Sequence, residues 1–368
     1  MKRTSFLFPV MSIIFGLLVS IILLEAVFRM LPVSDVLPKL PVDATNPIRR
    51  FKESSDILWT IGATFSTITR KGINNYGFLN DQDYSVIRPS PLLAIIGDSY
   101  VEAAQVENKD AMHGILATKI TGKGSVYSFG SSGSQLPTYL AYARYVKNEF
   151  RPDAFVFIIV GNDFDESFTR YRSAPGFHYF TDTTGRLELV RKDHHPSLIK
   201  RLLRRSALVR YMVLNLQIKS FVANLFAGDN NSAKEEFVGN TQSSFNDERI
   251  SSSKAVVDAF FDKLPAHTGV ERNKILFVID GMRPHLYNPA SLMKANGSYF
   301  DLMRNYFLRI ANDKGYEVID MQPYFITAYK SNGTRFEFPS DAHWNESGHA
   351  LVADKISQSN VYQELFGN

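Results

Sequence analysis

The chain of 368 residues is 45% hydrophobic and 21% charged, with 28 Phe and 17 Tyr, a composition that supplies a full apolar core and excludes a disordered or collagen-like chain. Its formal net charge is only +4, so charge gives no ground for a nucleic-acid partner. The absence of Cys excludes disulfides, thiolate catalysis and Cys-ligated zinc.

From Phe6 to Leu24 no residue is charged, which as a helix would extend roughly 28 Å, close to the hydrocarbon thickness of a bilayer. Lys2 and Arg3 precede this run, and no small-x-small cleavage signal follows it in EAVFRMLP. Residues 1–31 are therefore read as an uncleaved signal anchor, with the N-terminus in the cytoplasm and the remainder periplasmic or otherwise extracytoplasmic. Residues 32–54, with Pro at 32, 38, 41 and 47 and no apolar period, read as an extended stalk. The folded domain is expected over 55–368.

Within it, short apolar runs read as buried strands: Leu92–Ile96, Val126–Phe129, Phe155–Val160, Ile275–Ile279 and Tyr316–Ile319. Helical spacing of apolar residues appears between and after them, over 110–120, 136–150, 254–264, 299–312 and 348–357. Continuous apolar strands alternating with helices predict a mainly parallel five-stranded sheet covered on both faces, an α/β fold that binds ligands beyond the carboxyl ends of its strands. Residues 171–253 interrupt the alternation. They read as a hairpin turning at Thr184-Gly185, a basic amphipathic helix over 200–226 expected to pack one face on the domain, and a polar loop over 227–253.

Chemistry-bearing residues follow the strands. Gly97-Asp98-Ser99-Tyr100 puts a Ser on a strand-to-helix turn, where a side chain is exposed at the strand end; taken alone, such a Ser is most often a helix N-cap. Gly130-Ser131-Ser132-Gly133-Ser134 is a loop whose N–H groups suit an anion. Gly161-Asn162-Asp163 brings an amide to a third strand end, and Asp341-Ala342-His343-Trp344 precedes the last helices. Asp163, Asp165 and Glu166 form an acidic group, read as a solvated loop and not as a cation site; no metal site is expected.

These four blocks, in this order, resemble the SGNH (GDSL-like) hydrolase family over about residues 73–357. The resemblance implies a three-layer α/β/α sandwich and a serine esterase that needs no cofactor. It implies Ser99 as nucleophile, His343 as general base and acid, Asp341 as the orienting acid, and an oxyanion hole made of the Ser99 and Gly133 N–H groups and the Asn162 side chain. The family pattern has its acid three residues before the His, where this chain has Ser340; Asp341 stands two before, so a triad and a Ser–His pair both remain open. Tyr100, Gln135 and Arg283 are further candidates for lining the substrate site.

The N-terminal anchor, the lead-in NNYGFLN, the segment FVIDGMRPHLY and the ending DAHWNESGHALVA are similar to membrane-anchored members that accompany bacterial surface-polysaccharide synthesis. That likeness implies an acylated glycan or a small acyl ester as substrate, acetyl as the expected acyl group, and polysaccharide-synthesis machinery as a candidate partner. Two other functions stay open: an O-acyltransferase acetylating a polysaccharide, and a catalytically silent component that binds or assembles.

Overall fold

The computed structural model describes residues 4–216, 218, 236–339 and 341–367. The chain divides into two compact units, one formed by residues 1–37, 56–70 and 196–230, the other by 38–55, 71–195 and 231–368.

The smaller unit is built on helix α1 (Thr4–Met30), of which Phe8–Met30 is long and apolar enough to cross a membrane and leaves its side chains unburied. Near its end, Glu25 accepts hydrogen bonds from Ser206 Oγ (2.6 Å) and from the Ala207 and Leu208 N–H groups (both 3.1 Å). It thereby satisfies donors at the start of a short helix that no intrahelical partner can reach. Phe28 stacks on Tyr211 at 4.3 Å. The expected single basic helix is instead broken into Leu198–Leu203, Ala207–Arg210 and a π-turn at Tyr211–Asn215. Ser197 and Ser206 restart the chain by capping Lys200 N and Val209 N. Leu198, Ile199, Leu202 and Leu203 carry exposed side chains; the part of the expected helix beyond residue 218 lies outside the described residues.

The larger unit holds five parallel strands: β1 (Leu92–Gly97), β2 (Ser125–Gly130), β3 (Ala154–Ile159), β4 (Ile275–Ile279) and β5 (Glu317–Asp320). Their spatial order is β5-β4-β3-β1-β2. The apolar runs become these strands because each is covered on both faces; every residue of β1 to β4 is buried. The crossover through α3 (Met112–Lys119) steps from β1 to β2, whereas those through α4 (Leu136–Phe150), α5 (Asp247–Thr268) and α6 (Tyr299–Asp313) step the other way across the sheet. Right-handed crossovers then place α3 on one face and α4, α5 and α6 on the other. Consistent with this, α4 packs on α5 and α5 on α6, while α3 packs on α7 (Glu346–Ser357). The reversal after β2 opens a crevice at the carboxyl ends of β1, β2 and β3.

Two expectations are corrected here. Residues 38–54 are not a free stalk: Val42, Ile48 and Phe51 are buried, Ile48 joins the main core, and backbone bridges tie Lys39 to Phe51 and Val42 to His194. The prolines break helical structure without preventing burial. The polar segment expected over 227–253 ends early, because α5 starts at Asp247, where the Asn246 side chain accepts from Arg249 N at 2.8 Å; residues 227–235 lie outside the described residues. The hairpin at Thr184-Gly185 is present, pairing His178–Thr183 with Arg186–Arg191.

Candidate active site

Ser99 begins the one-turn helix α2 (Ser99–Glu102), which leaves the end of β1 directly. Asp98 caps that turn, accepting from Tyr100 N at 2.9 Å. The Ser99 hydroxyl stands 2.7 Å from His343 Nε2 and 3.1 Å from Asp98 Oδ2. His343 sits on strand β6 (Asp341–Trp344), which pairs antiparallel with Glu337–Phe338. Alternation along a strand puts positions two apart on one face, so Asp341 and His343 point the same way, and Asp341 Oδ1 contacts His343 Nδ1. Spacing of two is thus suited to an acid and base carried on a strand. The same Oδ1 accepts from the His343 N–H at 3.0 Å, and Gln105 Nε2 donates to Oδ2 at 3.3 Å.

With the ring proton on Nδ1, facing a carboxylate that can only accept, Nε2 is left as an acceptor for the Ser99 hydroxyl. Burial pulls the His343 pKa down, but the hydrogen bond and charge of Asp341 outweigh it, and the ring is held above its ordinary value of 6.5. Burial raises Asp341, and its bonds to His343 reverse this, leaving it below the ordinary carboxylate range. Asp98 has no ion-pair partner among the described residues, and the charge of His343 acts on it only weakly against its burial. Its burial, only partly offset by hydrogen bonds from Tyr100, pushes it up to about 6.

The other two blocks line the same strand ends. Gly133 follows β2 with φ +81°, the left-handed region that glycine adopts without strain, and its N–H meets no acceptor among the described residues. The neighbouring Ser132 is fixed by Glu102, whose carboxylate accepts from its N–H at 2.6 Å and its hydroxyl at 2.9 Å. Asn162 follows β3. Its Nδ2 donates to Glu166 Oε2 at 3.4 Å, and its Oδ1 accepts from Asn240 Nδ2 at 3.1 Å. Gly161 allows this, since a Cβ there would stand 1.8 Å from the Gly239 carbonyl oxygen.

The three lining candidates take other places. Arg283 is 4% exposed; it donates to Asp280 at 2.7 and 3.1 Å and to the Phe336 carbonyl at 3.2 Å, and lies 3.5 Å from Glu337. Trp344 Nε1 donates to the same Asp280 at 3.0 Å, so Arg283 braces β6 from behind. Tyr100 is buried, donates to the Ala342 carbonyl at 3.1 Å and packs its ring 4.9 Å from His343. Gln135 is fully buried and donates to the His178 carbonyl at 2.7 Å. All three are corrected from lining to supporting positions.

The acidic group after β3 is not a solvated loop either. Asp163 is buried and accepts from Tyr139 Oη and Val160 N, both at 2.8 Å; Asp165 pairs with Arg249 at 2.8 Å; Glu166 pairs with Arg172. Among the described residues no cluster of His, Asp or Glu is arranged to hold a metal ion. Glu102 and Gln105 escaped the sequence reading, and Glu166 entered it only as part of the acidic group. Glu102 lies one turn after Ser99, where a helical side chain returns to the nucleophile's side of the turn, and this was its only available signal.

Residues 93–356 match the sequence pattern of a family described as GDSL-like Lipase/Acylhydrolase. Among solved structures, the chain is similar to a lipase/acylhydrolase from Enterococcus faecalis (10% identity, covering 75% of this chain and 97% of that chain, TM-score 0.40). It is also similar to an α/β hydrolase from the metagenome of Lake Arreo, Spain (13% identity, 75% and 98%, TM-score 0.39), and to an acetyl xylan esterase (14% identity, 73% and 98%, TM-score 0.38). No curated protein matches the chain.

Proposed function

The chain belongs to the GDSL-like lipase/acylhydrolase family, and from that premise we propose that it is a serine esterase removing O-acyl groups, acetyl first among them, from a cell-surface glycan. The observation that carries this is the contact of Ser99 Oγ with His343 Nε2 at 2.7 Å, with Asp341 on the other ring nitrogen. His343 Nε2 takes the Ser99 proton as Oγ attacks the ester carbonyl carbon, forming a tetrahedral oxyanion. Asp341 holds the ring tautomer and stabilises the imidazolium. The Ser99 and Gly133 N–H groups and Asn162 Nδ2 receive the oxyanion; a donor already in place contributes about 3 kcal/mol because it needs no reorganisation. The intermediate collapses with the proton passing from His343 to the sugar oxygen, leaving an acyl-serine. Water, deprotonated by the same Nε2, then releases the free acid and restores Ser99.

The glycan part of the reading rests on the flanking motifs NNYGFLN, FVIDGMRPHLY and DAHWNESGHALVA. The location rests on α1: Lys2 and Arg3 before an apolar span favour a cytoplasmic N-terminus, with the site-bearing domain on the other side.

The test is hydrolysis of p-nitrophenyl acetate by the full chain in detergent, beside its Ser99→Ala variant. A loss of about 10³-fold or more on substitution is expected. Equal rates would overturn the esterase reading, and acyl product appearing on an added oligosaccharide in place of free acid would reassign the step to acyl transfer.

A further inference from the structure

Beside the loop that carries Gly133, two guanidinium groups converge on one aromatic ring. Arg49 Cζ lies 4.4 Å and Arg172 Cζ 5.3 Å from the centre of Phe177. The ring's edge and Arg172 Nη2 stand 3.5 and 2.6 Å from the point where a side chain on Gly133 would begin. Arg172 is paired with Glu166, the same carboxylate that accepts from Asn162, and keeps about a quarter of its side chain exposed. Both proposed side-chain and loop donors to the oxyanion are therefore bordered by this cluster.

Arg49 is the unusual member. Its backbone is fixed, the carbonyl accepting from Tyr142 Oη at 2.9 Å, yet its buried Nε has no hydrogen-bond partner and, among the described residues, its guanidinium makes no hydrogen bond or ion pair. The adjacent Arg50 shows the ordinary alternative, bonding Asn46 and Tyr145. The charged groups nearest in effect are Glu102 and Arg172, with the neutral phenols of Tyr142 and Tyr179 also close by. Glu102, the acidic one, is already engaged by both donors of Ser132. A guanidinium stacked on a ring face still presents its N–H edge, which suits a planar or tetrahedral oxyanion. Leaving the buried Nε–H without an acceptor is costly, and an anion that reaches it removes that cost.

We propose that Arg49 and Arg172 form a subsite for a negatively charged substituent, carboxylate or phosphate, on the glycan whose ester Ser99 attacks. This rests on the esterase reading for what happens at Ser99 but not for the binding itself. Stacking on Phe177 and contact with the Gly133 loop would set the charged group beside the carbonyl that is to be attacked, so the subsite would position the ester as well as select the sugar.

Binding is measured calorimetrically on the full-length Ser99→Ala chain in detergent, which separates recognition from turnover. Trigalacturonate supplies the carboxylate, mannose 6-phosphate the phosphate, and xylotriose is the neutral comparison. At least one charged ligand is expected to bind about tenfold or more tightly than xylotriose and to weaken as salt is raised. Adding Arg49→Ala is expected to remove most of that preference, and Arg49→Lys to restore part of it. Which charged ligand binds identifies the anion. Equal binding or no binding of all three, or an unchanged preference in a folded Arg49→Ala chain, would overturn the proposal. Because Ser99 is absent from this assay, failure of the esterase reading would show only in the p-nitrophenyl acetate comparison.

Discussion

His343 acts as a base only when neutral, and Asp341 stabilises its charged form, so the two requirements meet in the pH profile. Since the ring is held above 6.5, kcat/KM for p-nitrophenyl acetate should rise with pH through a midpoint above that value. In Asp341→Asn the charge that raises the ring is gone; the midpoint should move to lower pH, and kcat should fall by about 10³-fold or more as the tautomer is lost. An unmoved midpoint would mean that Asp341 does not govern the ring. For Asn162→Ala the expected loss is about 10²-fold in kcat with KM little changed, because its donor is used most in the transition state. At this scale the residues that meet at the strand ends, Ser99, His343 and Asp341, were legible, since each stood in a short motif. Tyr100, Gln135 and Arg283 were placed wrongly for one reason: a residue just past a strand end can turn toward the cleft or beneath it. Hydrogen bonds to the Ala342, His178 and Phe336 carbonyls, all distant in sequence, turned them beneath. Arg49 and Arg172 had no motif at all.

Strand β6 carries both Asp341 and His343, and its position depends on what lies behind it. Asp280, Arg283, Glu337 and Trp344 form one buried network there. Replacing Arg283 by Met would leave the buried Asp280 carboxylate without its cation and Glu337 with only the more distant Arg335 at 3.9 Å, a loss that typically costs about 3–5 kcal/mol. The urea midpoint of Arg283→Met should fall accordingly, with a drop in kcat from the displaced His343. Asn246→Ala removes the cap of α5 and should cost about 1 kcal/mol in the same assay while leaving the pH profile untouched. The strands were readable because LLAII, FVFIIV and ILFVI are apolar on both faces. The first two turns of α5 were not, because DERISSS reads as polar loop and the cap is visible only once Asn246 is seen reaching Arg249 N. Over residues 38–54 the prolines suggested an extended tether, but Val42, Ile48 and Phe51, spaced without any period, are enough to bury it.

For the molecule as a whole, α1 and the sheet-bearing unit make separate claims. If α1 is an anchor with its basic end inside, protease added to intact spheroplasts should digest an epitope placed after residue 367 and spare one placed before residue 4; the reverse pattern would overturn the orientation. The alternation of strands and helices made the architecture legible, since parallel strands joined by helices admit few arrangements, whereas the division of the chain into two units did not follow from any linker composition. The contact between Ser99 and His343 spans 244 positions of sequence. The nucleophile therefore leaves the ribosome, and on the proposed topology crosses the membrane, long before the base and acid that activate it. A partly exported chain carries a serine no more reactive than any other, and ester cleavage begins only once β6 has arrived and closed against β1. The order of synthesis itself would keep the cytoplasm's esters safe from this enzyme.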